Sequence, residues 1–262
     1  MIGGRTQRPA VTAMLFLLPA LLFIGVFRYF PLASAFFHSF TSWNAASSSF
    51  LGLSNYTDLF QDDFFWASLA NAGIYTGVRV IVITAMCVLI AELVYNIPSA
   101  RASYRWRSLL ILPLVIPVSV LILLWNFIYN PVLGLLNEFL GVLGLNFLQR
   151  PWLGDPATAL YAVAAVGFPF AGTIQFLVIL SGLQSINPSI LESARVDGTN
   201  ILQRIFRMDI PIIMDKILLA VTLTVLWDFQ NVQYFLILTG GGPGTRTLVP
   251  GLYVYQTAFD YN

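Results

Sequence analysis

The sequence is poor in charged side chains and has a single cysteine, a single histidine and a single lysine. Only 10% of its 262 residues are Asp, Glu, Lys or Arg, whereas a soluble globular domain carries about 25%. This deficit excludes a water-soluble surface, and the net charge of +1 offers no basic field for nucleic acid. Cys87 has no partner in the chain for a disulfide. His38 has no second histidine or cysteine with which to build a metal site, so we predict none.

Apolar residues take the place of the missing charges. They make up 58% of the chain, and the mean hydropathy is +0.78. A helix needs about 20 mostly apolar residues to cross a bilayer. Five stretches reach that length: residues 11–37, 69–95, 109–128, 157–183 and 210–239. We therefore predict an all-α, polytopic bundle of transmembrane helices.

The first stretch has some features of a signal peptide, because Arg5 and Arg8 precede it and Ala33-Ser34-Ala35 would suit cleavage. Its apolar part is longer than the about 7–15 residues of a signal sequence, so we predict that it is retained as a span. Five spans place the end of the chain outside, and residues 253–262 resemble the approach to another crossing. We expect a sixth span beyond this chain and treat residues 1–262 as one transmembrane domain.

Positive charges are concentrated on alternate connections between the stretches. Arginine and lysine mark the cytoplasmic side of a membrane protein. They precede the first stretch and occupy the second-to-third and fourth-to-fifth connections, as Arg5, Arg8, Arg101, Arg105, Arg107, Arg195, Arg204 and Arg207. The opposite connections hold only Arg150 and Arg246. We predict a cytoplasmic N-terminus, with odd-numbered spans running outward.

The cytoplasmic connection before the fifth stretch carries clear signals for helix ends. Asn187 suits an N-cap, with Pro188 at the first helical position. Gly198 supplies a left-handed stop, and Asn200 with Gln203 forms a near capping box for a second short helix. The two helices are either a docking knob for a partner or an ordinary amphipathic connector. The pattern alone does not separate these alternatives.

The same connection contains the run Glu192-Ser193-Ala194-Arg195-Val196-Asp197-Gly198-Thr199, followed by Phe206 and by Ile210-Pro211. This pattern resembles the EAA loop of binding-protein-dependent ABC importer permeases. Ser193 and Thr199 stand where that family more often has Ala, and Asp209 where a neutral residue is more usual. The resemblance implies that residues 184–210, here called the coupling segment, dock on a cytoplasmic ATPase. The implied docking residues are Glu192, Ser193, Ala194, Asp197, Gly198, Phe206 and Pro211.

The resemblance extends over nearly the whole chain. Residues 31–43 look like the first-span exit of sugar-type permeases, and Ile111-Leu112-Pro113 with Pro117 looks like their third-span proline pair. Thr239-Gly240-Gly241-Gly242-Pro243 looks like the external loop of the maltose-permease F-type. The resemblance implies a bacterial or archaeal inner membrane and a carbohydrate or polyol cargo, with or without phosphate. It also implies three kinds of partner: a second permease subunit, two ATPase subunits that hold ATP and Mg, and an external substrate-binding protein.

No loop of the form G-x-x-x-x-G-K-[ST] is present to cradle a nucleotide, because the glycine cluster at residues 240–244 has no following lysine. We therefore expect no cofactor in this chain and a separate energy-supplying subunit. An intramembrane enzyme would need catalytic histidines that the chain lacks. A secondary transporter of a small polar solute is the alternative, and it would keep working after ATP depletion. A purely structural membrane protein would not need polar side chains at membrane depth.

Polar residues recur on one face of the fifth stretch. Thr224, Asp228 and Asn231 follow at i, i+4 and i+7, with Trp227 beside them. Polar groups at this depth line a cavity or form a hydrogen-bonded seam between helices, and both readings stay open. Hydroxyl-binding groups beside an aromatic ring suit a sugar. The family resemblance implies that the same four positions contact substrate, and it adds Ser119, Gly167 and Phe170.

Two ionisable residues of opposite sign lie inside predicted spans. Arg79 and Asp228 are each about ten residues from the outer end of their span, or roughly 15 Å at 1.5 Å per residue. Opposite charges at one depth relieve each other's desolvation. We predict that the two side chains pair directly or meet across the cavity. The alternative is that Arg79 faces a partner subunit and Asp228 bonds only to neighbouring hydroxyls.

Overall fold

The structure is a computed structural model that describes residues 9–44, 47–170 and 172–259. It separates into two compact units, Met1–Asp62 and Asp63–Asn262. The described residues are mostly helical, and their strands are confined to one small hairpin, which confirms the predicted all-α class.

The first unit is a helix followed by the hairpin. Helix α1 (Pro9–Ile24), a π-helical turn (Gly25–Tyr29) and helix α2 (Phe30–His38) form one continuous rod. Strands β1 (Thr41–Asn44) and β2 (Ser47–Phe50) pair antiparallel, and helix α3 (Ser54–Gln61) follows. The Asn55 side chain holds the hairpin to the end of α2, because its Nδ2 donates to the carbonyls of Ser39 (2.9 Å) and Thr41 (3.0 Å).

The second unit is built around one long helix, α4 (Asp63–Tyr95). The helices that follow are α5 (Ala100–Ile111), α6 (Val118–Ile128), α7 (Leu135–Val142), α8 (Ala159–Ala164), α9 (Thr173–Gln184), α10 (Pro188–Val196), α11 (Ile201–Arg204), α12 (Ile210–Ile212), α13 (Met214–Phe229), α14 (Gln233–Leu238) and α15 (Pro250–Phe259). Short 3₁₀ turns lie at Leu112–Val115 and Asn146–Leu148, and a π-helical turn lies at Ile205–Asp209. Helix α4 packs against α8, α9, α13 and α15.

Two apolar clusters hold the second unit together. One joins the N-terminal half of α4 to α6, α8, α14 and α15 through buried residues that include Tyr75, Ile122, Val163, Phe235 and Leu252. The other joins the C-terminal half of α4 to α9 and α13 through residues that include Ile83, Cys87, Ile179, Leu183 and Ala220. The two clusters leave a polar zone between them, at the level of Arg79.

Only two of the described helices, Thr12–His38 and Asp63–Tyr95, are long and apolar enough to cross a membrane unbroken. Three bent pairs bring the number to five if each pair is one span: Ala100–Val115 with Val118–Ile128 (92°), Thr173–Gln184 with Pro188–Val196 (69°), and Ile201–Ile212 with Met214–Phe229 (71°). The first bend falls at Pro117, which lacks the amide hydrogen that a continuous helix needs.

The predicted fourth and fifth stretches are therefore not continuous helices. The chain unwinds after Ala164 and regains a helix only at Thr173. Gly167 (φ 88°) and Gly172 (φ 96°) adopt left-handed conformations in that interval, which helices do not accommodate. The fifth stretch is interrupted at Ile213 and again between Phe229 and Gln233.

Candidate functional site

A cavity of about 700 Å³ lies in the second unit where the helices are broken. Its walls come from α4, the Leu112–Val115 turn, α6, the unwound interval between α8 and α9, the start of α9, and helices α13 and α14. Its lining combines aromatic rings with polar groups: Arg79, Trp125, Gly167, Phe168, Phe170, Thr173, Gln175, Thr224, Trp227, Asp228, Gln230, Asn231, Gln233 and Tyr234, beside apolar residues. Irregular backbone at membrane depth is typical of segments that line a cavity.

The structure brings Arg79 and Asp228 together in the cavity wall. Arg79 Nε donates to both carboxylate oxygens of Asp228, each at 3.0 Å, and the two side chains are only 9% and 5% exposed. Arg79 Nη1 donates to the carbonyls of Ala164 (3.1 Å) and Val166 (3.3 Å). The arginine thus joins α4, α13 and the backbone at the end of α8. In a continuous helix these two carbonyls would accept hydrogen bonds from backbone amides instead.

Two tyrosine rings enclose the guanidinium. The Arg79 Cζ atom lies 5.4 Å from the ring centre of Tyr75 and 5.9 Å from that of Tyr234. A cation over the face of an aromatic ring is stabilised by the ring quadrupole, and more so when water is excluded. Arg79 Nη2 makes no hydrogen bond among the described residues.

Helix α13 ends at Phe229, so the predicted helical face carries Thr224 and Asp228, with Trp227 beside them, but not Asn231. Thr224 and Asp228 are buried, while Trp227 is 46% exposed. Asn231 follows the end of α13, and its Oδ1 accepts from the Tyr234 amide at 3.2 Å, so it helps to start α14. The four residues share the cavity wall.

Gly167 and Phe170 reach the same wall from the unwound interval. Gly172 closes that interval against α4, because a Cβ at position 172 would lie 2.6 Å from Ile83 Cγ2. Ser119 is exposed and does not line the cavity. On α6 the cavity face is instead Val118, Leu121 and Trp125, which follow one another at helical spacing.

Gln175 is a cavity residue that sequence reasoning missed. It is 3% exposed, and its Nε2 donates to Thr224 Oγ1 at 3.0 Å. Thr224 Oγ1 in turn donates to the carbonyl of Ala220 at 2.9 Å. The signal was present, since an amide side chain inside an apolar run needs a partner. Sequence reasoning also missed Tyr75, whose ring contacts the Arg79 guanidinium. The available signal was its position one helical turn before Arg79.

The coupling segment folds through its own caps. Asn187 Oδ1 accepts from the Ser189 amide at 3.0 Å, and Pro188 begins α10. Asn200 and Gln203 form a reciprocal capping box at α11, as predicted. Gly198 has φ 69° and nothing within 4 Å of the position of a Cβ, so its role is conformational.

Most of the implied docking residues of the coupling segment are exposed on the protein surface. Glu192, Ser193, Asp197 and Gly198 are exposed, and so are Phe206 (68%) and Pro211. Ala194 is the exception: it is buried, and its carbonyl accepts from both the amide (3.0 Å) and the hydroxyl (2.7 Å) of Thr199. These two hydrogen bonds hold the turn between α10 and α11, and its other side chains stay exposed.

Broken helices around a polar cavity, with a capped helical loop at one end, define a polytopic membrane transport subunit. The chain belongs to the family of ABC transporter permeases. It is 36% identical over 248 residues to the probable ABC transporter permease protein YurN of Bacillus subtilis strain 168, over 94% of this chain and 84% of that protein. This membership confirms the family resemblance seen in the sequence.

Two further similarities agree. The chain is 31% identical over 245 residues to the sn-glycerol-3-phosphate transport system permease protein UgpA of Yersinia enterocolitica, over 91% of this chain and 81% of that protein. A chain in the crystal structure of a bacterial alginate ABC transporter, in complex with an alginate pentasaccharide-bound periplasmic protein, has the same fold. Its TM-score is 0.80 at 22% identity, over 96% of this chain and 84% of that one. The sequence matches no protein-family model.

Proposed function

We propose that this chain, acting as one transmembrane domain over residues 1–262, is one of two permease subunits of an ATP-driven importer. Its N-terminus lies in the cytoplasm of a bacterial or archaeal cell, and its spans lie in the inner membrane. A second permease subunit completes the path. Two ATPase subunits bind ATP and Mg, and an external binding protein delivers the cargo. The exposed outer face of the coupling segment supports ATPase docking there.

The cargo that the cavity suits best is a carbohydrate or a polyol, with or without phosphate. The observation that carries this proposal is the combination of exposed aromatic rings, Trp227 and Phe170, with hydrogen-bonding groups around one cavity. Sugar rings have apolar faces that stack on aromatic rings, and their hydroxyls need donors and acceptors. Related transport systems named for sn-glycerol-3-phosphate and for alginate agree with this class.

The proposed contacts follow from the lining of the cavity. Trp227 and Phe170 provide stacking surfaces, Asn231 and Thr224 provide hydrogen bonds, and Gly167 leaves room for close approach. Asp228 is engaged by Arg79 and therefore contributes through that pair. For Ser119, which lies outside the cavity lining, the proposed contact applies to a cargo that extends beyond the cavity.

The test is transport by the complete complex in liposomes, with cargo identified first by ligand binding to the external protein. Asn231→Ala and Trp227→Ala should each lower the transport rate. Loss of one hydrogen bond worth about 0.5–1.5 kcal/mol corresponds to roughly two- to tenfold. Leu226→Ala is the matched control, because Leu226 neighbours Trp227 on α13 but is exposed outside the cavity.

Three outcomes would contradict the proposal. A binding protein specific for peptides or metal ions would overturn the cargo class. Unchanged transport in both cavity variants would overturn the path. Transport that survives removal of the ATPase subunits and collapses with the ion gradient would favour a secondary transporter.

A further inference from the structure

A second set of buried charges lies at the cytoplasmic end of α4, away from the cavity. It consists of the charged residues Glu92, Arg204 and Asp209 together with the half-buried amide Asn96, here called the Arg204 cluster. Glu92 is 3% exposed and Asp209 is 0% exposed. None of the four lines the cavity, and none belongs to the implied docking residues.

Arg204 is the centre of the cluster. Its Nε donates to Asp209 Oδ2 at 2.9 Å, and its Nη2 donates to Asn96 Oδ1 and lies 4.0 Å from Glu92 Oε2. Asn96 Nδ2 donates to the Glu92 carboxylate at 3.1 Å and to the Glu92 carbonyl at 2.7 Å. The guanidinium thus binds one carboxylate of its own segment and two side chains at the end of α4.

The cluster is costly as a purely structural device. One guanidinium faces two carboxylates, and Glu92 Oε1 and Asp209 Oδ1 have no hydrogen-bond partner among the described residues. Buried ion pairs contribute little net stability compared with apolar packing of similar volume, because the charges must be desolvated.

The position of the cluster suggests what the charges accomplish. Arg204 and Asp209 belong to the coupling segment. The chain continues from there into the spans through a 71° bend at Ile213, between Ile201–Ile212 and Met214–Phe229. A bend of this kind transmits a displacement poorly from one helix to the next. Helix α4, by contrast, is unbroken from Glu92 to Arg79, and those 13 positions span about 20 Å.

We propose that Arg204 is a positioning residue that fastens the coupling segment to α4. Displacement of the segment by the ATPase then moves α4 along its length and shifts the Arg79 end of the cavity wall. This inference rests on the proposed function, because it takes the coupling segment as the surface that the ATPase moves.

The test uses the complete complex in liposomes and compares ATP hydrolysis with and without the substrate-loaded binding protein. Arg204→Gln should lower this stimulation ratio at least about fivefold, the lower range of measured coupling between sites. Basal hydrolysis and co-purification of the subunits should persist. Arg204→Lys should retain part of the ratio, because an ammonium still pairs with one carboxylate but cannot reach both elements.

The matched control is Arg101→Gln. It removes the same charge from α5, outside the coupling segment, and Arg101 is exposed and makes no ion pair within the described chain. Its ratio should stay within about twofold of the unaltered complex, a change of roughly 0.4 kcal/mol. Asn96→Ala is a second variant: it removes the direct hydrogen bond between Arg204 and the end of α4 while Arg204 keeps its ion pair with Asp209, and it should also lower the ratio.

The results separate the inference from its premise. An unchanged ratio in both Arg204→Gln and Asn96→Ala would overturn the fastening role. So would a parallel fall of basal and stimulated hydrolysis with loss of the assembled complex, because that indicates structural support only. If the unaltered complex shows no stimulation at all, the proposed function fails first, and the inference fails with it.

Discussion

Arg79 reaches Asp228 across 149 positions of sequence, and both side chains are almost fully withdrawn from solvent. Each residue carries a charge that membrane depth makes expensive, and each relieves the other. Reasoning from depth alone was sufficient to suggest this partnership, because equal distance from the membrane surface is a property of sequence. The two backbone carbonyls that complete the site could not be anticipated, since they become available only where α8 unwinds.

Charge reversal tests the pair. Arg79→Asp and Asp228→Arg should each lower the stability of the protein by about 3–5 kcal/mol, because each leaves like charges buried together. The double swap should recover only part of the loss, since an arginine at position 228 does not reach the carbonyls of Ala164 and Val166 in the same way. The measurement is the thermal unfolding midpoint of the purified complex.

The control for this experiment is Arg150→Gln. Arg150 lies 3.8 Å from Asp155 and its side chain is 37% exposed, so the pair is worth at most about 1 kcal/mol. A loss at Arg150 equal to that at Arg79 would indicate a general sensitivity to arginine replacement. Additive losses in the double swap would show that the two charges do not interact.

The elements differ in how far local sequence determines them. The coupling segment was predictable because its caps, Asn187 and Asn200, and its stop, Gly198, lie within a few residues of the structures that they control. The unwound interval before α9 was not, because its shape depends on Arg79 and on the fit of Gly172 against Ile83. The hairpin was missed as well, since a run of serines lacks the alternation of apolar and polar residues that marks a strand.

Gly198 provides a test at this scale. Gly198→Val should impair the turn, because a β-branched residue is disfavoured at φ 69° by roughly 1–2 kcal/mol or more. No neighbour lies within 4 Å of the added Cβ, so the penalty is conformational and the protein should still insert into membranes. Substrate-stimulated ATP hydrolysis by the complex should fall.

The matched replacement is Gly198→Asn, because asparagine tolerates the left-handed region better than other side chains. It should retain most of the stimulation. Equal activity of the valine and asparagine variants would mean that the turn is only a connector.

At the scale of the whole molecule, composition established the class and charge placement suggested the orientation. The apolar stretches and the EAA-like run together were sufficient to predict the fold class. The helix breaks are the part that apolar length could not reveal, because residues 109–128 stay apolar across the break at Pro117. Proline and glycine positions indicate where a break is possible, and tertiary contacts determine which breaks occur.

Orientation can be measured by labelling single cysteines with a membrane-impermeant thiol reagent. In a Cys87→Ala background, Ala100→Cys should react only when the cytoplasmic face is accessible, and Ser48→Cys only from outside. Both positions are exposed. In the unaltered protein, which keeps Cys87, that side chain is 2% exposed and should stay unlabelled. Reaction of both introduced cysteines from one side would contradict the predicted topology.

The contact between Arg79 and Asp228 also has an electrical consequence. A lone charge moved across a membrane potential changes free energy by about 2.3 kcal/mol per 100 mV. An arginine and an aspartate held 3.0 Å apart move as a dipole of nearly zero net charge when the cavity changes shape. The cavity wall therefore carries almost no gating charge. Its reorientation should proceed at the same rate in polarised and depolarised membranes, whatever voltage the cell maintains.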